Sequence, residues 1–229
     1  MSRPGAPFGS GDDALLRAGT ALLVRDGADG LEVLMIERPD RGSFAGAWVF
    51  PGGVVEPVDA VGDEIDDARR AAARETAEEV GLVVEADALV PFSCWTPPTT
   101  LPAGARKRVR TWFFVGAAAD ADLVLSEAEV VTAAWVRPGA MLARHERGEI
   151  RLFPPTWVTL HDLSAHPDVT AALAAARAQA PRSFATLVRG TVFVWEPDAA
   201  YDESVGLTAS GPRHRLLTDT LPWQYEKAL

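Results

Sequence analysis

The sequence predicts a mixed α/β (α+β) fold that ends in an extension of helices and strands. Over the first half of the chain, apolar runs of strand length are separated by turn signals. One segment there, rich in Ala, Arg and Glu, has the composition of a helix. The 229 residues suit one elaborated domain or two small ones. We expect a flexible tail over 1–16, the main domain over 17–148 and an extension packed on it over 149–229.

The elements are predicted in order along the chain. Two apolar runs flank a turn at 27–30, which indicates a β-hairpin. A helix is predicted over 66–80, and Gly81 stands where a C-terminal glycine cap belongs. The main domain is expected to hold strands over 14–25, 31–38, 48–50, 82–92, 109–117 and 133–136 and a short helix over 138–148. The extension is expected to hold helices over 156–163 and 167–179 and strands over 187–196 and 214–217.

Composition excludes several classes of function. The chain has 22 Lys and Arg against 32 Asp and Glu, a formal net charge of −10, which argues against nucleic-acid partners and anionic membranes. Cys94 is the only cysteine, so an internal disulfide and a multi-cysteine zinc site are excluded. No apolar stretch approaches the roughly 20 residues that span a bilayer. Without a secretory signal pattern, we expect a cytoplasmic protein.

Three carboxylates in the predicted helix carry the chemical signal. Glu75, Glu78 and Glu79 stand at positions i, i+3 and i+4, so they share an arc of about 100° on one helix face. Clustered carboxylates repel one another unless a cation neutralises them. Mg²⁺ and Mn²⁺ prefer such oxygen ligands. The alternative is a solvated acidic helix face, which charge runs usually form.

The surrounding residues resemble the signature of the Nudix hydrolase family. That signature is a Gly, five residues, a Glu, seven residues and then Arg-Glu-apolar-x-Glu-Glu-x-Gly-apolar. Gly53 in Phe-Pro-Gly-Gly matches the first Gly, and its second half is matched by Arg74, Glu75, Glu78, Glu79, Gly81 and Leu82. Asp66, eight residues before Arg74, stands where the family has its first Glu. Twelve residues then separate Gly53 from Asp66, which implies a seven-residue insertion.

The resemblance implies a mixed β-sheet sandwiched between helices and a divalent-metal-dependent hydrolase. The enzyme would cleave a pyrophosphate bond in a nucleoside diphosphate linked to another group. By resemblance, Mg²⁺ or Mn²⁺ would be held by Glu75, Glu78, Glu79 and the backbone carbonyl of Gly52, with Glu78 and Glu79 in catalytic roles. Arg74 would pair with Asp66 in a structural role.

A further carboxylate is expected from a loop outside this signature, as a metal ligand or general base. The candidates are Glu129 and, second, Glu127. The alternative is an exposed acidic turn.

Some Nudix proteins with an insertion at this point resemble coenzyme A diphosphatases, so coenzyme A or an acyl-CoA is the first candidate substrate. An ADP-ribose or nucleotide-sugar diphosphatase is the alternative. A Nudix-fold binding module without catalysis is a third possibility, which the three carboxylates of the signature disfavour. The expected partner is a small nucleotide-type molecule.

Several residues are candidates for binding substrate. Arg106, Arg108 and Arg110 would point the same way in a strand, and arginine binds phosphate well. Arg38 and Arg41 are weaker candidates of the same kind, and Trp95 is a candidate for stacking on a base, although aromatic residues more often belong to the core.

Two further expectations concern the insertion and the extension. The acidic insertion, 56–67, is interpreted as a solvated loop, with an extra cation site or a gate as alternatives. The apolar strand at 191–195 needs a partner strand, from which we expect a homodimer.

Overall fold

The computed structural model of the protein describes residues 15–42, 44–99, 107–118 and 121–228. Within these ranges it has twelve strands and four α-helices, which confirms the mixed α/β class. The strands are β1 (Leu16–Gly27), β2 (Gly30–Glu37), β3 (Trp48–Val49), β4 (Gly52–Val54), β5 (Val90–Thr96), β6 (Val109–Ala117), β7 (Thr132–Val136), β8 (Arg182–Ala185), β9 (Leu187–Arg189), β10 (Val192–Val194), β11 (Arg213–Leu217) and β12 (Gln224–Ala228). The helices are α1 (Glu64–Val80), α2 (Pro138–Glu146), α3 (Pro154–Leu163) and α4 (Val169–Ala178).

The main sheet is mixed, as expected. Its strands run in the order β3-β2-β1-β6-β5-β8, with β4 also paired to β1 and β7 to β2. β1 is antiparallel to β2 and parallel to β6. The predicted hairpin is confirmed, since β1 and β2 meet at Gly27 and Gly30.

Helices cover both faces of this sheet because its central strands are apolar on both sides. On β1, Leu22 and Val24 face one core while Ala21 and Leu23 face the other. The first core is closed by α2, α3 and α4 together with the aromatic side chains of the extension. The second core is closed by α1. This alternation is the period-2 pattern of a strand buried on both faces.

Helix α1 begins two residues earlier than predicted because Asp63 caps it. The Asp63 carboxylate accepts hydrogen bonds from the backbone N–H groups of Ile65 and Asp66. At the other end Gly81 has a φ of 73° and donates its N–H to the carbonyl of Ala77. The predicted glycine cap is therefore confirmed.

The strand predicted over 82–92 is wrong in its first part. The chain forms a 3-10 turn at Ala86–Ala88, and β5 begins only at Val90. Val90 pairs with Val115, and β6 ends two residues later at Ala117, so it offers little strand for the preceding residues to pair with. Val83 is 82% exposed, which no buried strand would allow.

The extension contributes to both sheets. β8 pairs in parallel with β5 and lengthens the main sheet, while β9 to β12 form a second, antiparallel sheet. The strand predicted over 187–196 is in fact a hairpin, because a turn at Gly190 and Thr191 separates β9 from β10. The sequence analysis missed β8 and β12.

The argument for a homodimer loses its basis in this arrangement. β10 holds most of the apolar strand that was expected to need a partner, and it is paired with β9 on one side and β11 on the other. In the part of the chain that the structure describes, no helix combines the length and apolarity needed to cross a membrane.

A buried ion pair ties the second sheet together. The Asp198 carboxylate accepts hydrogen bonds from Arg215 at 2.5 and 2.7 Å and from the backbone N–H groups of His214 and Ala200 at 2.8 Å each. Burial alone would raise the pKa of Asp198, but these donors outweigh it and hold the pKa at about 2. The folded state therefore favours the charged carboxylate.

We expect Asp198→Asn to destabilise the protein by about 3–5 kcal/mol, because it leaves the Arg215 guanidinium without its buried counter-charge. Urea denaturation at pH 7 measures this loss. Asp198 has a folded pKa below its unfolded value of about 3.9. Its contribution is therefore present above that value and is lost as the pH falls towards 2. The variant should lack this part of the acid sensitivity, and exposed Asp219→Asn, in the same extension, should match the wild type.

Candidate metal centre

The centre is built where β4 meets the C-terminal half of α1. A Cβ on Gly53 would lie 2.2 Å from the carboxyl carbon of Glu75, so a larger residue here would displace the Glu75 carboxylate. The Gly52 N–H donates to Glu79 Oε2 at 3.0 Å. The Phe-Pro-Gly-Gly segment therefore positions both carboxylates of the helix.

Three carboxylates converge there, from two elements of the fold. Oxygen atoms of Glu75, Glu79 and Glu129 all lie within 4.8 Å of one another. The loop that carries Glu129 is fixed to the end of α1, because the N–H of Ser126 donates to the carbonyl of Glu79 and that of Val124 to the carbonyl of Val80. The structure thus brings Glu129 into the cluster and leaves Glu127 outside it.

The electrostatics of this cluster disfavour three bare negative charges. Glu79 is 1% exposed, and burial raises its pKa to about 7 despite the Gly52 N–H and the Arg38 guanidinium, which lower it. Burial also raises the pKa of Glu75, while Arg74 lowers it. Oxygen donors at this spacing, with repelling charges, fit a hard divalent cation such as Mg²⁺ or Mn²⁺.

Glu78 lies beside the cluster and is not a member of it. Its side chain is 56% exposed and accepts a hydrogen bond from Arg74 Nη1 at 3.0 Å. The same Nη1 donates to Glu75 Oε1 at 3.0 Å, so the Arg74 guanidinium lies between the carboxylates of Glu75 and Glu78. The predicted trio of Glu75, Glu78 and Glu79 is therefore replaced in the structure by Glu75, Glu79 and Glu129.

The expected pairing of Arg74 with Asp66 is wrong, and Asp59 takes that place. Arg74 donates to the buried Asp59 carboxylate from Nε at 3.1 Å and from Nη2 at 3.0 Å. Asp66 pairs with Arg69 instead. Asp66 lies on the same helix, eight residues before Arg74, and about 12 Å of helix rise separates the two residues.

The Asp59–Arg74 pairing also changes the position that we assign to the inserted residues. Five residues separate Gly53 from Asp59, as in the Nudix signature, so Asp59 stands at the position of its first Glu. Fourteen residues then separate Asp59 from Arg74 instead of seven, and the seven extra residues lie between these two. Counting forward from Gly53 would have found Asp59 from the sequence alone.

The interpretation of 56–67 as a solvated acidic loop is correct for Glu56 and Asp63, which are exposed, and wrong for Asp59 and Asp67, which are buried. Asp67 is buried and accepts the N–H groups of Val61 at 2.7 Å and Gly62 at 3.1 Å. It also pairs with Arg17. The Val61 N–H lowers the pKa of Asp67 most, and burial partly opposes it. Among the described residues, these acids form no second group of three suited to a cation.

The predicted basic strand is not at the cluster. Arg106 lies outside the described residues. Arg108 donates to the carbonyls of Pro98 and Pro97 at 3.1 and 3.3 Å. Arg110 contacts Cys94 and pairs with Glu64, which precedes Glu75 by about 16 Å along α1.

Arg38, the weaker candidate, is the arginine at the cluster, where it pairs with Glu79. Trp95 is not available for stacking on a substrate. It is buried and stacks on Phe184 with ring centroids 3.9 Å apart. Trp95 therefore belongs to the core, which was the alternative to its stacking on a base.

The Asp59–Arg74 pair provides a matched test. Asp59→Asn should lower thermal stability and weaken Mn²⁺ binding, because Arg74 loses the buried charge that orients it towards Glu75. Asp66→Asn changes an acid of the same region whose partner is Arg69, and both quantities should stay near the wild-type values. Melting curves and Mn²⁺ titration check both variants. Equal losses in the two variants would contradict the assignment of Asp59.

Comparison with known proteins agrees with this geometry. A family model described as the NUDIX domain matches residues 15–155, more than half of the chain. A NUDIX hydrolase from Alicyclobacillus acidocaldarius is 25% identical with a TM-score of 0.62, and the match covers 71% of this chain and 96% of that one. No curated protein matches.

Two other similar structures have lower TM-scores. An Ap4A hydrolase from C. elegans is 23% identical (TM-score 0.45; 66% of this chain, 96% of that one). The NUDIX domain of Shewanella oneidensis NrtR, solved with ADP ribose, is 19% identical (TM-score 0.47; 57% and 78%). The family model covers more than half of the chain and includes all three carboxylates of the cluster. The protein therefore belongs to the Nudix family and is a Nudix-type hydrolase.

Proposed function

We propose that the protein hydrolyses the pyrophosphate bond of a nucleoside diphosphate derivative with the help of Mg²⁺ or Mn²⁺. The observation that carries this proposal is the convergence of Glu75, Glu79 and Glu129 within 4.8 Å. Substrates of this kind are polyanions, and the protein has a net charge of −10. A cation between the carboxylates and the phosphates reconciles the two charges.

Each residue of the centre has a proposed role. Glu75, Glu79 and Glu129 would hold the metal, with the Gly52 carbonyl as a further ligand. When bound, the metal neutralises phosphate oxygens and lowers the pKa of a coordinated water. Arg38, already beside Glu79, is placed to donate hydrogen bonds to a phosphate.

The proton of the attacking water needs an acceptor. Glu129 is the exposed member of the cluster, whereas Glu79 is buried and bonded to Gly52 and Arg38. Glu129 is therefore our first choice for the general base. Glu78, held by Arg74 at the edge, is placed to join the ligands if its side chain turns.

Coenzyme A or an acyl-CoA is our first candidate substrate. This choice of substrate rests on the resemblance to the Nudix branch with an insertion. In this chain the seven extra residues lie between Asp59 and Arg74. ADP-ribose or a nucleotide sugar is the alternative. Both share the diphosphate and the nucleoside that this chemistry requires.

A screen of coenzyme A, acetyl-CoA, ADP-ribose and a diadenosine polyphosphate, in Mg²⁺ and in Mn²⁺, tests the proposal. We expect metal-dependent cleavage at the pyrophosphate, with products identified by mass. From coenzyme A these are 4′-phosphopantetheine and adenosine 3′,5′-bisphosphate. Cleavage of ADP-ribose alone would select the alternative substrate.

Two variants of one loop make the test specific. Glu129→Gln should lower kcat by about 10²- to 10⁴-fold, the range expected for loss of a general base. Glu127→Gln, two residues away and outside the cluster, should keep kcat near the wild-type value. Equal effects of the two substitutions would contradict the role of Glu129. Glu79→Gln should abolish turnover together with Mn²⁺ binding.

A further inference from the structure

Phe44 has a strained backbone conformation and a half-exposed aromatic ring. It lies in the loop between β2 and β3 with a φ of 61°, the one positive value among the non-glycine residues that the structure describes. A side chain at this φ crowds the following carbonyl group. The ring is also 52% exposed, so folding gains little from its burial. Strained residues of this kind cluster at ligand sites.

The loop around Phe44 is braced from several sides. The Arg38 N–H donates to the carbonyl of Ala47 at 3.0 Å and closes the loop at its base. From the start of the extension, Arg151 donates to the carbonyl of Ala45 at 3.1 Å. The Phe44 ring packs edge to face against Phe153, with centroids 5.0 Å apart. These contacts hold the ring in place and leave about half of it open to solvent.

The same loop is fastened to the metal centre at two points. At its base, Arg38 pairs with Glu79. Further along, Arg41 donates to the carbonyl of Ala128, the neighbour of Glu129, at 3.0 Å. Three Cα–Cα steps, at most about 11 Å, separate Arg41 from Phe44. These two contacts hold the loop that carries Phe44 against the carboxylate cluster.

We propose that Phe44, supported by Phe153, is the platform on which the nucleobase of the substrate stacks. The proposal deepens the proposed function and rests on it, since it places the base of a nucleoside diphosphate derivative when the phosphates lie at the cluster. Stacking suits every base because each has a π-face. Phe44 thus takes the role that the buried Trp95 cannot fill.

Equilibrium binding with two probes tests this site in the presence of Mn²⁺. The probes are α,β-methylene-ADP, which carries a base and resists hydrolysis, and methylenediphosphonate, which has no nucleoside. Wild-type protein should bind the first more tightly. Phe44→Leu and Phe44→Gly should weaken that binding by about fivefold or more, while binding of methylenediphosphonate stays within about twofold.

Two further variants separate stacking from packing. Phe44→Trp should retain binding of α,β-methylene-ADP because it keeps an aromatic face, and Val188→Ala, an exposed apolar residue of β9, should change neither affinity. Phe44→Gly should not lower Tm, because glycine adopts a φ of 61° without crowding. A lowered Tm with unchanged affinity for α,β-methylene-ADP would show that Phe44 serves only to pack against Phe153.

The remaining outcomes are equally decisive. Equal affinity of the wild type for both probes, or no effect of Phe44→Leu, would overturn the stacking platform. Failure of the proposed function looks different. In that case the wild type hydrolyses none of the screened substrates, although the two probes still distinguish Phe44→Leu from the wild type.

Discussion

The guanidinium of Arg74 connects the parts of the metal centre. It donates to Asp59 at the start of the insertion, to the carbonyl of Val54 on β4, and to Glu75 and Glu78 on its own helix. Arginine presents five N–H donors in a rigid plane, and this geometry lets one side chain bind three elements at once. Asp59 is buried, so the pair forms away from the screening of bulk water. The positions of strand, loop and helix are thereby fixed relative to one another.

A second set of contacts controls the charge of the cluster. The buried Glu79 has two partners, a backbone N–H from Gly52 and the side chain of Arg38. Its raised pKa shows that these partners do not fully offset the cost of burying its charge. A further positive charge beside Glu79 would favour its ionised form. A divalent cation, of the kind that Nudix hydrolases generally use, is the charge that we propose for this place.

The sequence predicted the local features well and the long-range ones poorly. The β1–β2 hairpin, α1 with its Gly81 cap and β6 could be recognised because each depends on residues close together in the chain. β8 and β12 are short and partly polar, and they become strands only because a neighbouring strand offers its hydrogen bonds.

The same distinction holds within the candidate site. Glu75 and Glu79 followed from helical spacing. Counting back from Arg74 indicates Asp66, whereas the hydrogen bonds of Arg74 identify Asp59 as its partner. The contact of Arg38 with Glu79 and the backbone of Phe44 depend on how one loop crosses the centre. No periodicity of the sequence encodes that path.

The pairing of β8 with β5 determines what removal of the extension would expose. An open strand edge is a template for association with other chains, and proteins commonly cover such edges. Here the cover is supplied by residues beyond the match to the family model, which ends at 155. Removing them would uncover the backbone of β5 together with the Trp95 ring, which stacks on Phe184 of β8. Loss of the extension would therefore open this edge of the main sheet to association with other chains.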